Sequence, residues 1–158
     1  MKAIDEIRIE LNNEWIPDVY ESEVRPLRTR SYPLNAPQRE NAPSILNTLL
    51  GTELQVGRRR IQCPDIATAR FLQVFARLGC REVAVPYDIT KIAGLADKLE
   101  TAWKAAQRSI EQVGKGASPQ QKGRIRASVI RAMREEVDKI GAGEMMPLFN
   151  KGTKQRGS

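Results

Sequence analysis

Apolar and polar residues change rhythm several times along this chain. Residues 3–11, Ala-Ile-Asp-Glu-Ile-Arg-Ile-Glu-Leu, alternate at Ile7, Ile9 and Leu11, which is the period of a half-buried strand. Asn12-Asn13 then reads as a turn. Residues 19–32 read as a second extended segment from which Arg25, Arg28 and Arg30 project, and Pro26 and Pro33 make it an edge strand or an arm. Pro33, Pro37 and Pro43 stand among Asn and Gln, so 33–43 is a loop. Ser44 to Leu50 has the length of two helical turns, ended by Gly51. Glu53–Val56 and Arg59–Cys63 pair as a hairpin around Gly57-Arg58.

From Pro64 the period lengthens. Pro64 and Asp65 suit a first helical turn. Ile66, Ala69, Phe71, Leu72, Val74, Phe75 and Leu78 supply the apolar positions, and Gly79 stands where a left-handed cap belongs. Arg81 to Tyr87 is a strand with Val83 and Val85 on one face. Asp88 caps a long helix from Ile89 to about Val113, with a seam at Ile92, Leu95, Leu99, Ala102, Ala106 and Val113 that Trp103 and Ile110 widen. Gly114-Lys115-Gly116 breaks it. Ser118-Pro119-Gln120-Gln121 has the cap, the first-turn proline and the third-position Gln of a capping box. That helix runs to Ile140 along Ile125, Val129, Met133 and Val137. The fold expected is α+β: one small mixed sheet from 3–11, 53–63 and 81–87, a strand–helix–strand crossover, and a C-terminal helical hairpin. The expected organisation is a core domain over 1–113, an amphipathic helix over 114–141 packing on it, and a flexible basic tail over 142–158.

Composition narrows the classes. The chain is 41 % hydrophobic and 28 % charged, as an ordinary globular protein is, and only 5 % aromatic, so its core is built from Leu, Ile, Val and Ala. No apolar run approaches the ~18 residues a membrane span needs. The acidic, alternating N-terminus is not a secretory signal, and a cytoplasmic location is expected. Two cysteines, Cys63 and Cys80, with no histidine, make neither a disulfide framework nor a zinc site. The expected state is two reduced thiols. Without histidine, Ser–His–Asp and Cys–His chemistry is excluded. Gly51 and Gly57 are isolated and Gly114-Lys115-Gly116 lies between helices, so no phosphate-binding loop is present. Asp18, Glu21 and Glu23 lie too close together for a strand-to-strand carboxylate site. No catalytic residue, metal or cofactor is assigned.

Charge is segregated as well as abundant. The net charge is +7, yet residues 1–23 carry −5, 24–62 carry +5, 63–113 carry +1 and 114–158 carry +6. Basic blocks of this kind suit an anionic partner. Three features are candidates. Arg58, Arg59 and Arg60 lie at the hairpin turn, where Arg58 and Arg60 share a face and form a claw for phosphate oxygens; a solvated turn whose charges blunt edge pairing is the competing reading. Arg124, Arg131 and Arg134 form a stripe on the last helix, interrupted by Glu135 and Asp138 at the spacing of helix-stabilising pairs, which favours a solvated face. Arg25, Arg28 and Arg30 with Tyr32 suit a single strand, arginine meeting phosphate and tyrosine stacking on a base; an arm docking on a protein explains them equally well. The leading expectation is a non-catalytic nucleic-acid-binding accessory protein, for RNA or single-stranded DNA. The alternative is a protein–protein interaction or self-assembly module using the acidic start, the Ile92–Val113 seam and the Met145–Phe149 segment.

Overall fold

Ile9 decides the conformation of residues 3–11. Ile4, Ile7 and Leu11 recur at intervals of three and four and face the core, Ile7 completely, while Ile9 is 78 % exposed. The segment is therefore a helix, α1 (Lys2–Leu11), and not a strand. An interval of four is both an even number and about one helical turn, so Ile7 and Leu11 satisfy either period and packing chooses between them. The computed structural model describes residues 2–143; the Met145–Phe149 segment and nearly all of the basic tail lie outside them.

After α1 comes a 3₁₀ turn (Asn12–Glu14) in place of a simple turn, with Asn12 at a φ of 49°. Helix α2 (Ile16–Val19) follows, with Pro17 in its first turn, and continues as a π-helical turn (Tyr20–Val24). The extended segment expected over 19–32 is thus helical as far as Val24. Trp15, Ile16, Val19, Tyr20 and Val24 are all buried, a spacing that a strand with alternating faces could not bury. Only β1 (Thr29–Pro33) is extended.

Ser44–Leu50 is also corrected, from helix to strand. β2 (Ser44–Thr48) turns through Leu49-Leu50 into β3 (Gly51–Val56), and Gly51 takes the positive φ of 118° at that turn. β3 returns through Gly57-Arg58 into β4 (Arg59–Cys63), the hairpin read from the sequence. Helix α3 (Ile66–Leu78) begins at Asp65, whose carboxylate accepts the Thr68 N–H at 2.7 Å, and ends at Gly79 in the left-handed region. A Cβ on Gly79 would lie 2.5 Å from the Pro37 carbonyl oxygen, so space as well as conformation demands glycine there. β5 (Glu82–Pro86) then pairs antiparallel with β1.

The fold class is α+β, but the single mixed sheet with a crossover is replaced by two small antiparallel sheets, β2-β3-β4 and β1-β5. The reason lies in α3. Ala69, Phe71, Leu72, Val74, Phe75, Ala76 and Leu78 are all buried, while the stripe of Arg70, Gln73 and Arg77 stays partly open, so most of the circumference of this helix needs cover. Strands β2, β3 and β4 cover part of it, and β5 and the two last helices the rest.

Helix α4 (Ile89–Val113) starts at Asp88, which accepts the Thr90 N–H at 3.0 Å, and α5 (Pro119–Ile140) starts at the reciprocal Ser118–Gln121 capping box. The α4 seam is filled by the chain itself: Ile92, Leu95, Leu99, Ala102, Trp103, Ala106 and Ile110 belong to the single core. Val129, Ile130, Met133 and Val137 of α5 belong to the same cluster. Glu136 of α5 accepts the Trp15 indole N–H at 2.9 Å and pairs with Arg8, tying α5 to the start of the chain. Both cysteines are buried and unpaired. Burial pushes the Cys63 thiol up to about 11 and raises that of Cys80 too, which makes both poor nucleophiles.

Candidate functional site

The β1–β5 ladder sets Arg30 opposite Val85 and Tyr32 opposite Val83. The Tyr87 N–H donates to the Arg28 carbonyl at 3.0 Å, which carries the pairing one step past the strand ends. Alternation along β1 puts Arg28, Arg30 and Tyr32 on one face, and this extra step adds Tyr87 to them. The Arg28 guanidinium lies 5.1 Å from the centre of the Tyr87 ring. Arg30 lies between two rings, 4.9 Å from Tyr32 and 6.0 Å from Tyr87, and its Nη2 donates to the Tyr32 hydroxyl at 3.2 Å.

A firm base holds this cluster. Val83, Ala84 and Val85 are fully buried, and the Ala84 N–H donates to the buried Tyr20 hydroxyl at 2.9 Å. Tyr32 is half-buried against the core, whereas Arg28, Arg30 and Tyr87 are exposed. Each guanidinium over a ring gains about 0.5–1 kcal/mol at an exposed site. That is enough to orient the group without sequestering its N–H donors. Among the described residues neither Arg28 nor Arg30 has an acidic partner. Two positive charges and two aromatic rings therefore share one exposed face.

The other sequence candidates are dispersed. Arg25 turns away, donating to the Gly143 carbonyl at 3.0 Å and the Thr29 hydroxyl at 3.3 Å, and so joins β1 to the end of α5. Arg59 donates to the Leu34 carbonyl at 2.7 Å. Arg60 lies 3.6 Å from the Glu53 carboxylate, so it does not form a claw with Arg58, which stands exposed at the turn. Arg124 and Arg131 are exposed, but Arg134 is buried near Asp138, so the three do not form one surface stripe. Neither Arg131–Glu135 nor Arg134–Asp138 forms an ion pair among the described residues; α5 instead pairs Arg126 with Glu40 at 2.6 Å and Glu136 with Arg8.

A cleft of about 410 Å³ opens beside the far end of β1, lined by Asn35, Gln38, Arg81, Glu82 and Asp138. Burial raises the Asp138 carboxyl above the usual range, against the pull of the Arg81 backbone N–H and the Arg134 and Arg81 charges. Two carboxylates beside one guanidinium give this cleft no net attraction for an anion. Among the described residues no group of three His, Cys, Asp or Glu side chains could hold a metal ion, and no helix is long and apolar enough to cross a membrane.

Tyr87 is the member of the cluster that sequence reasoning missed. It follows Pro86 at the end of a strand, and only the strand register brings it to Arg28. No protein-family profile, curated protein or solved structure matches the chain.

Proposed function

We propose that the protein binds single-stranded nucleic acid, RNA or DNA, without catalysis, through the face formed by Arg28, Arg30, Tyr32 and Tyr87. The observation that carries this reading is the Arg30 guanidinium seated between two tyrosine rings on an exposed strand. Guanidinium N–H groups meet phosphate oxygens in fork geometry. The guanidinium planes and the exposed Tyr87 ring offer flat surfaces on which unpaired bases stack, at about 1–3 kcal/mol per base. A duplex keeps its bases inside and gains only the phosphate contacts, which sets single strands above duplex. Arg58, at the nearby hairpin turn, supplies a further phosphate contact: its neighbour Gly57 stands against Pro37, a few residues beyond Tyr32. A cytoplasmic location goes with this reading and is supported by two buried, unpaired cysteines.

The test is an anisotropy titration with short single-stranded RNA, single-stranded DNA and duplex DNA at several salt concentrations. Arg28→Ala with Arg30→Ala should weaken single-strand binding and reduce the salt slope by about 0.7 per lost phosphate contact. Tyr87→Ala should weaken binding and leave the slope unchanged. Binding that is flat with salt, or indifferent to all three substitutions, would sink the reading.

A further inference from the structure

β2 is an edge strand, since its sheet runs β2-β3-β4, and its outer side makes no backbone hydrogen bond among the described residues. A bare edge is a template for another strand, and proteins ordinarily blunt such edges with charge or proline. The other edges here follow that rule. β4 carries Arg59 and Arg60, and β1 carries Arg30 and ends in Pro33. In β5 the Ala84 N–H is already engaged by Tyr20.

Within its span β2 has none of these devices, the nearest proline, Pro43, standing just before it with its carbonyl held by Gln73. Its sequence is Ser-Ile-Leu-Asn-Thr, and it lies inside residues 41–52, the longest stretch of the chain without a charged side chain. The turn that follows presents Leu49 and Leu50 at 106 % and 82 % exposure. An uncharged, proline-free strand beside two exposed leucines is an adhesive edge.

We infer that this edge pairs antiparallel with β2 of a second copy of the chain, joining two three-stranded sheets into one across a two-fold axis. Self-complementarity favours a second copy, and the charge of the chain selects this edge for it. The chain carries +7 overall, so most faces of two copies repel each other, and the uncharged stretch 41–52 is where that repulsion is least. An identical edge also brings no charge of its own, and antiparallel pairing of identical strands is self-complementary and closes after two copies. Leu49 and Leu50 of each copy are then carried towards the start of β2 of the other, where they lose part of their exposure.

Sedimentation equilibrium of the intact chain over a wide concentration range, with the variant Ser44→Lys plus Asn47→Lys alongside, tests this. Both substituted side chains are exposed, so the variant should keep the circular dichroism spectrum of the parent and, at concentrations low enough for both to be monomeric, its urea midpoint. The parent should show a monomer–dimer equilibrium, and the variant a dimer Kd raised at least tenfold. Hydrogen exchange on the unaltered parent gives an independent reading: amides within 44–48 should become more protected as concentration rises, while those of β4 should not. A parent that stays monomeric, a variant that dimerises as well as the parent, or β2 amides indifferent to concentration would each overturn the inference.

Discussion

Tyr20 is a phenol used as a strut. Its hydroxyl donates to the Gly141 carbonyl at 2.7 Å and accepts the Ala84 N–H at 2.9 Å, while its ring meets Phe75 edge-on at 5.2 Å. Burial pushes its ionisation up to about 12. The native state therefore holds this proton more tightly than the unfolded chain does. The associated stability is complete below pH ~10 and is lost as pH rises from there through about 12, a swing of up to about 2–3 kcal/mol. Tyr20→Phe strands two backbone groups and should cost about 1–3 kcal/mol at neutral pH. It should also make the decline above pH ~10 shallower, leaving the part due to the two buried thiols, which begins near pH ~9 and continues through the same range. Urea unfolding at neutral pH and in this alkaline range measures both effects. Equal alkaline declines in parent and variant would remove Tyr20 from the account.

At the scale of elements, α1 offers a sharp contrast. In a strand, Ile7 and Ile9 would share a face and cost the same to truncate. In the helix Ile7 is sealed in the core and Ile9 stands in water. Ile7→Ala should therefore cost about 2–4 kcal/mol and Ile9→Ala about zero, read from urea midpoints. Similar costs at both positions would mean that α1 is not this helix. The same contrast shows what the sequence makes legible. Helix ends were readable because their chemistry is local: Asp65 and Gly79, Asp88, and the Ser118–Gln121 box each act within a few residues. The β3–β4 hairpin was readable for the same reason. α1 and β2 were not, because short apolar runs fit two periods and the partner that selects one is distant in sequence. In the candidate site, closeness in sequence grouped Arg28, Arg30 and Tyr32 together with Arg25. Tyr87 came from a pairing between strands some fifty residues apart, the loss of Arg25 and Arg59 came from backbone carbonyls that no spacing rule reveals, and that of Arg134 from burial.

For the whole molecule, the two ends of the described chain are tied directly to each other. Glu136 receives Trp15 and Arg8, Tyr20 holds Gly141, and Arg25 holds Gly143. Arg8 also lies over the Trp15 ring at 4.6 Å. Glu136→Ala leaves the buried indole N–H without its acceptor and should cost about 1–3 kcal/mol. The ion pair with Arg8 is partly solvated and adds little. Glu136→Gln retains an acceptor for the indole and should recover most of the loss. Tryptophan fluorescence during urea unfolding reports it, and equal losses for Ala and Gln would place the weight on the ion pair instead. The acidic start of the chain thus has work inside the fold: Glu10 meets Ser109, and Glu23 meets Lys98 at 2.5 Å.

The bonds to Glu136 also set a clock. During synthesis the segment holding Trp15, Ile16, Val19 and Tyr20 is made well before α5. A ribosome adding about 5–20 residues per second needs on the order of 5–20 s to travel from the π-helical turn to the start of α5. Through that interval Trp15 lacks the Glu136 carboxylate and Tyr20 lacks the Gly141 carbonyl. The nascent chain is then at its most adhesive, with the uncharged β2 edge already made as well. Slow translation across α4 would lengthen that exposure, and holding chaperones would act on this protein before α5 emerges rather than after.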